Sequence, residues 1–383
     1  MAFLFCFFLF LIFYCYFGYP LALVILARLC PKPVHKKNII PGVSVVVSVW
    51  NERDVIARKI RNLLALGYPR DKIEILIGSD GSDDGTDEII ASFKDSRIRF
   101  IKRSRRSGKM ATLNELVSLA KNEVIVFNDA RQELAKDAIE KLVRNLADPL
   151  VGCVSGELIF RQKEGATSEG INLYWEYEKF LRDYEARIHS MLGATGAIYA
   201  IHKELYSPVP VNVVLDDMYI PFRIIEKGYR AVFESEARAF DDVAENPQEE
   251  YRRKTRTLYG NFQIFYQFTH MFNPLRSPVA IQFFSHKFLR TTVPFLMVAM
   301  AILNFFLLDQ AMFRWMMAAQ AIFYAMALAG ACVRGHGQGI LYYVRKVCYI
   351  PYVFCLLNFS VFVGFWRFIH SKQEITWEKA KGK

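Results

Sequence analysis

The chain has 383 residues, a formal net charge of +11 and 53% hydrophobic residues. That much apolar content beside that much charge excludes an evenly mixed composition, and local composition separates the two. The length allows one large domain or two.

From Met1 to Ala27 no residue is charged. At about 1.5 Å per residue the run exceeds the roughly 30 Å of a bilayer core, so it reads as a membrane helix. A secretory signal needs a basic start and small residues before a cleavage site, whereas this segment starts uncharged and ends in "ARLCPKPVHKK". A retained anchor spanning residues 1–29 is expected. Arg28, Lys32, Lys36 and Lys37 follow it directly, which predicts a cytoplasmic location, at an inner or plasma membrane, for what comes next.

Residues 41–260 alternate apolar runs with amphipathic stretches. "VSVVVSV" predicts a buried parallel strand and "RDVIARKIRNLLAL" a helix. "IEILIGS" with "TDEIIASF", "IRFIK" with "KMATLNELVSLA", and "EVIVFND" with "AKDAIEKLVRNLA" repeat the unit. Such alternation predicts an α/β fold, a mostly parallel sheet wound by right-handed crossovers. Ligands collect at the carboxyl ends of such strands, which here carry Trp50-Asn51-Glu52, Asp80-Gly81-Ser82 and Asp129-Ala130-Arg131.

Residues 261–290 mix aromatics with cations and read as amphipathic helices lying along the membrane. Three charge-free runs follow within 291–368: Thr291 to Leu308, Trp315 to Val333 and Val347 to Trp366. Each is long enough to span. Four spans put the tail, 369–383, on the same side as the N-terminus, whereas its basic character favours the cytoplasm. Pro351 and Asn358 single out the last run as the one that would depart from a simple span. Of the seven cysteines six sit in or beside apolar spans and Cys153 stands alone, so they read as packing residues.

"SDGSDDGTDE" has Asp80, Ser82 and Asp84 at alternating positions, but Ala91 occupies the place where a calcium loop needs a bidentate Glu. Asp83 or Asp84 instead suits a helix cap, leaving Asp80 for another task. "RSGKMATLNEL" has neither the first glycine nor the Ser/Thr of an NTPase phosphate loop. Lys109 still opens a helix beside Arg103, Arg105 and Arg106, where a phosphate could bind or where the loop is simply basic and solvated.

Taken in order, "VSVVVSVWNE", "SDGSDDGT", "GKMATLN", "FNDA", "GATGAIYAIHK", "LDDM" and "RRKTRTLYGN" closely resemble the membrane-bound family 2 glycosyltransferases of GT-A fold, the group of the cellulose, hyaluronan and poly-N-acetylglucosamine synthases. The resemblance implies that Glu52, Asp80 and Lys109 line a nucleotide-sugar pocket, with Asn114 as helix companion of Lys109. It implies that Asp129 holds Mg²⁺ or Mn²⁺ and that Gly196 lies in a glycine-rich stretch against the sugar. Asp217 falls on the general base and Asp216 on its acidic neighbour. "RRKTRT" matches a signature whose glutamine and tryptophan are replaced by Arg253 and Thr257, while Arg256 keeps the arginine that meets the leaving diphosphate. Arg131 stands where a second metal-binding acid is common; it would fork onto a phosphate, or pair with Glu133 or solvent.

The implied activity is inverting transfer from a nucleoside-diphosphate sugar, more readily UDP-linked than GDP-linked, to a growing polysaccharide. Single transfer to a lipid carrier is the alternative, and an inactive membrane scaffold a further one. Membrane lipid is an expected partner; nucleic acid is not.

Overall fold

The computed structural model describes the backbone of residues 1–161, 166–242, 247–332 and 340–370, and their side chains except at 166–174, 247–250 and 340–346. The expected basic link between the last two spans and the tail from 371 onward lie largely outside the described residues.

β1 (Val43–Val49) is buried at every position, as a strand covered on both faces must be. β2 (Ile73–Asp80) and β4 (Val124–Phe127) flank it in parallel, and β3 (Ile98–Arg103) adds to β2, also in parallel. Four further strands continue the sheet: β5 (Glu133–Leu134), β6 (Val151–Arg161), β7 (Tyr199–His202) and β8 (Arg230–Asp242). The order is β3-β2-β1-β4-β7-β6-β8-β5. β7 runs antiparallel to both neighbours and β5 antiparallel to β8, so the sheet is mixed, with parallel pairing predominating. One apolar cluster, with Ile56, Ile60 and Ile139, covers one face; a second, with Leu113, Phe222 and Phe268, covers the other.

This order builds the site. Because β2, β1 and β4 are parallel neighbours, Asp80, Glu52 and Asp129 emerge along one edge of the sheet. Antiparallel β7 pairs Tyr199 with Phe127, so the loop before β7, which carries Gly196, arrives at that same edge. The two rings stack at 4.5 Å, and the Asn128 amide donates to the Ala197 carbonyl, pinning the loop beside Asp129.

Among the described residues four helices are long and apolar enough to cross a membrane: Ala2–Leu29, Ala280–Phe305, Ala311–Cys332 and Val347–Ile369. The second begins within the stretch read from sequence as lying along the membrane, and Phe283 and Ser285 there are buried against protein. The last is part of one long helix, Ile340–Ile369, which contains Pro351.

The first apolar helix is tied to the α/β domain by buried polar groups. Tyr19 donates to Glu185 Oε1 at 2.7 Å, and His286 Nδ1 meets the same oxygen at 2.8 Å. Glu185 is fully buried and lies on the helix Ala166–Ile188. One helical turn or more away, Glu178 accepts from Arg290, with His286 Nε2 3.4 Å from its other oxygen.

Candidate active site

Two loops that look unrelated in sequence form one unit. Asp80 Oδ1 accepts the Ser107 N–H at 2.8 Å and Oδ2 the Gly108 N–H at 2.7 Å, so the acid left over from the capping argument holds the loop that opens the Lys109 helix. Gly81, at φ 71°, lets the loops after β2 and β3 approach: a Cβ there would meet the Arg106 nitrogen at 2.9 Å. Asp84 accepts the Thr86 N–H at 3.0 Å at the start of the helix Thr86–Ser92. Asp83 is not a cap; it exchanges two hydrogen bonds with Asn51.

Ser48, Trp50, Asp80, Arg106 and Lys109 line one small pocket over this edge. The Arg106 guanidinium lies 3.5 Å above the Trp50 ring, a flat cation stacked on a flat aromatic. Glu52 is buried beside it, and its carboxylate faces Arg131 Nε at 3.7 Å. Arg131 therefore turns back toward Glu52. Glu133, which sequence offered as its partner, pairs with Arg58 at 2.9 Å and Arg161 at 2.6 Å.

The centre of the site is a charge bridge. Lys109 Nζ lies 3.0 Å from Asp129 Oδ1 and 3.0 Å from Asp216 Oδ1. Burial alone would depress the lysine, but Asp129 and Asp216 outweigh it and hold the ammonium above its ordinary value. Asp216 also accepts from the buried Tyr199 hydroxyl at 3.4 Å. Asp217 opens the helix Asp216–Glu226, accepts the Gly196 N–H at 3.2 Å and lines a much larger cavity. Desolvation first, then the neighbouring Asp216, push its carboxyl up to about 6.

Gly196 stands between the two acids: a Cβ would lie 3.2 Å from Asp129 Oδ2 and 3.6 Å from Asp217 Oδ2. Gly196→Val should fill that gap. We expect turnover to fall on the order of 100-fold, the scale of a 1 Å misplacement, with the melting temperature nearly unchanged. A variant that turns over normally would show that the gap is not used.

Asp129 fits a divalent ion in one particular way. Among the described residues no three His, Cys, Asp or Glu side chains converge to hold a metal. A magnesium-type ion, however, is commonly held by one or two carboxylates plus substrate phosphates. Asp129 is one-third exposed, and Asp129, Asp216 and Asp217 outnumber the two cations that act on them, Lys109 and Arg182, so further positive charge is favoured here.

The sequence-predicted residues are thus mostly together. Arg253 and Arg256 divide differently from expectation: Arg253 lines the large cavity with Asp217, while Arg256 donates to the Val214 carbonyl at 3.4 Å and is not among the lining residues. Asn114 clamps the chain at Val209, accepting its N–H at 2.9 Å and donating to its carbonyl at 2.8 Å. Sequence reasoning missed Arg182, which shares the cavity with Asp217. Its only signal was a cation on the inward face of the aromatic-rich "WEYEKFLRDYEARI".

Residues 44–207 match "Glycosyl transferase family 2". The chain is similar to a poly-beta-1,6-N-acetyl-D-glucosamine synthase of Staphylococcus aureus, 25% identical over 242 residues, which are 61% of this chain and 58% of that protein. It is also similar to a beta-monoglucosyldiacylglycerol synthase of Trichormus variabilis, 32% identical over 154 residues, 38% of this chain and 32% of that one. The matches thus span well under two thirds of these relatives. The fold is shared with a mannosyltransferase of Pyrobaculum calidifontis solved in complex with GDP-Man and Mn²⁺, at a TM-score of 0.70 and 21% identity over 97% of this chain and 100% of that one.

Proposed function

We propose that this chain, which belongs to the family 2 glycosyltransferases and has their GT-A fold, inverts the anomeric carbon of a nucleoside-diphosphate sugar as it transfers the sugar to a hydroxyl on a membrane-associated acceptor. The observation that carries this reading is the position of Asp217, on the cavity wall and separated from Asp129 by Gly196.

The acceptor oxygen attacks the anomeric carbon while its proton passes to Asp217. The bond from that carbon to the diphosphate oxygen breaks, and its electron pair leaves on the nucleoside diphosphate. Lys109 supplies positive charge beside the leaving group, and Arg253, on the cavity wall, a second source. A divalent ion on Asp129 would neutralise the diphosphate. The base would lie along the edge that carries Trp50, Glu52 and Asp80, on the ring face that the Arg106 guanidinium covers. UDP-linked donors follow from the family resemblance; GDP-Man, bound by the Pyrobaculum mannosyltransferase, is the competitor. The catalytic domain faces the cytoplasm on the positive-inside argument.

Acceptor chemistry separates two readings. A polysaccharide acceptor matches the Staphylococcus relative. A lipid acceptor is favoured by Phe354, Leu357 and Val361, an apolar part of the cavity lining supplied by the helix Ile340–Ile369.

The test is nucleotide release by the purified full chain from UDP- and GDP-sugars, with Mn²⁺, with chelator, and with Mn²⁺ restored. Release from one donor class, lost on chelation and regained, is expected; no consumption of any sugar nucleotide overturns the reading. Asp217 must be ionised to accept a proton, and its pKa of about 6 exceeds the ordinary 3.8. The acidic limb of kcat/KM should therefore lie near pH 6, with activity falling below it, and should move to lower pH in Asp216→Asn. A limb near 4 in the unmodified enzyme would remove Asp217 from the role.

A further inference from the structure

We propose that the acceptor is a phosphate-bearing lipid with a free hydroxyl beside the phosphate, its phosphate held by Arg182 and its chain lodged against the membrane helix Ile340–Ile369. The inference rests on the glycosyltransferase reading and adds the acceptor's class. The cavity that Asp217 lines has a volume of about 310 Å³, within the range of sites that enclose a ligand. Two kinds of wall meet in it.

One wall is cationic. Arg182, Arg253, Lys254, Lys287 and Arg290 line it, and Glu178 and Asp217 are the carboxylates among the described lining residues. Glu178 is already engaged by Arg290, with His286 and Lys287 close by. Arg182 is different: its Nε is buried and makes no hydrogen bond among the described residues. A guanidinium whose Nε has no acceptor among the described residues, and which already acts on Asp217, fits a phosphate by two parallel hydrogen bonds. A neutral glycan brings no charge to meet this wall.

Another part of the lining is largely apolar. Phe354, Leu357 and Val361 come from the helix Ile340–Ile369, whose segment Val347–Ile369 is long and apolar enough to lie in a bilayer. Lipid chains can therefore enter from the side of the cavity that faces the membrane helices, leaving the headgroup between Arg182 and Asp217. Asp217 requires a hydroxyl, since a phosphate dianion has no proton for it to take at neutral pH. Phosphate and hydroxyl must accordingly sit on the same headgroup.

The test separates these requirements with the full chain in a neutral glycoside detergent free of phospholipid. Phosphatidylglycerol has chain, phosphate and hydroxyl; phosphatidic acid lacks the hydroxyl, diacylglycerol lacks the phosphate, and glycerol 3-phosphate lacks the chain. Native mass spectrometry should show phosphatidylglycerol and phosphatidic acid bound at least tenfold more tightly than the other two. Labelled sugar should pass to phosphatidylglycerol alone. Arg182→Gln should weaken phosphatidylglycerol binding about tenfold, the order of one charge-assisted hydrogen bond, and Arg182→Lys should restore most of it. Preference for diacylglycerol, or equal binding of glycerol 3-phosphate, overturns the proposal whatever the variants do. Titration with UDP and GDP runs in parallel: nucleotide binding without phospholipid selectivity removes the lipid site and spares the enzyme, whereas phospholipid selectivity without nucleotide binding removes the transferase reading instead.

Discussion

Asp217→Asn should lower transfer about 1,000-fold, within the range for loss of a positioned general base, while donor affinity stays within a few-fold of the starting enzyme. The substitution keeps the shape of the side chain and its contact with the Gly196 N–H, and the Asp217 backbone carbonyl continues to accept from Ala194 at 2.7 Å. What disappears is the ability to accept a proton. Steady-state turnover measured beside equilibrium donor binding distinguishes this from a local collapse, in which both would fall together. A variant with near-normal turnover would transfer the role to another group, and Asp216, bound to Lys109 and Tyr199, is badly placed to take it.

Lys109→Met should destabilise the chain by about 3 kcal/mol, the lower end for breaking a buried ion pair because Asp129 is partly exposed. It should also abolish measurable transfer. The cost arises less from the lost attraction than from Asp216, which is left buried beside Asp217 without its cation. Adding Asp216→Asn to Lys109→Met should therefore recover part of the stability but none of the activity. Thermal unfolding of the four members of that cycle gives the coupling directly. Additive effects would mean that the bridge carries no stability of its own.

The acids of the site were legible in sequence because each ends a strand or opens a helix, positions that topology brings to one edge. Asp129, Asp216, Asp217, Lys109 and Gly196 meet for that reason. The order of β6, β7 and β8 was not legible: β7 is only four residues long, and nothing local tells "YAIH" to run antiparallel between two other strands. Side-chain destinations were also hidden. Arg131 turns toward Glu52, 79 residues earlier in the chain and reachable only because β1 and β4 are neighbours. Arg253 and Arg256 are separated by less than one helical turn, and only the packing of their helix against the chain near Val214 decides which of them faces the cavity. Arg182 had no motif to mark it, since its meaning comes from Asp217 and from helices that lie far away in sequence.

The contacts of Tyr19 and His286 with Glu185 make a buried carboxylate of the α/β domain dependent on the apolar helices for its partners. Expressed without the first and later apolar helices, residues 41–260 would present a carboxylate shaped for two absent donors and an apolar rim around it. Extraction conditions that pry the helices apart would be felt at the reaction centre through the same helix that carries Arg182. Lipid composition and detergent choice thus become variables of the chemistry as well as of sample handling.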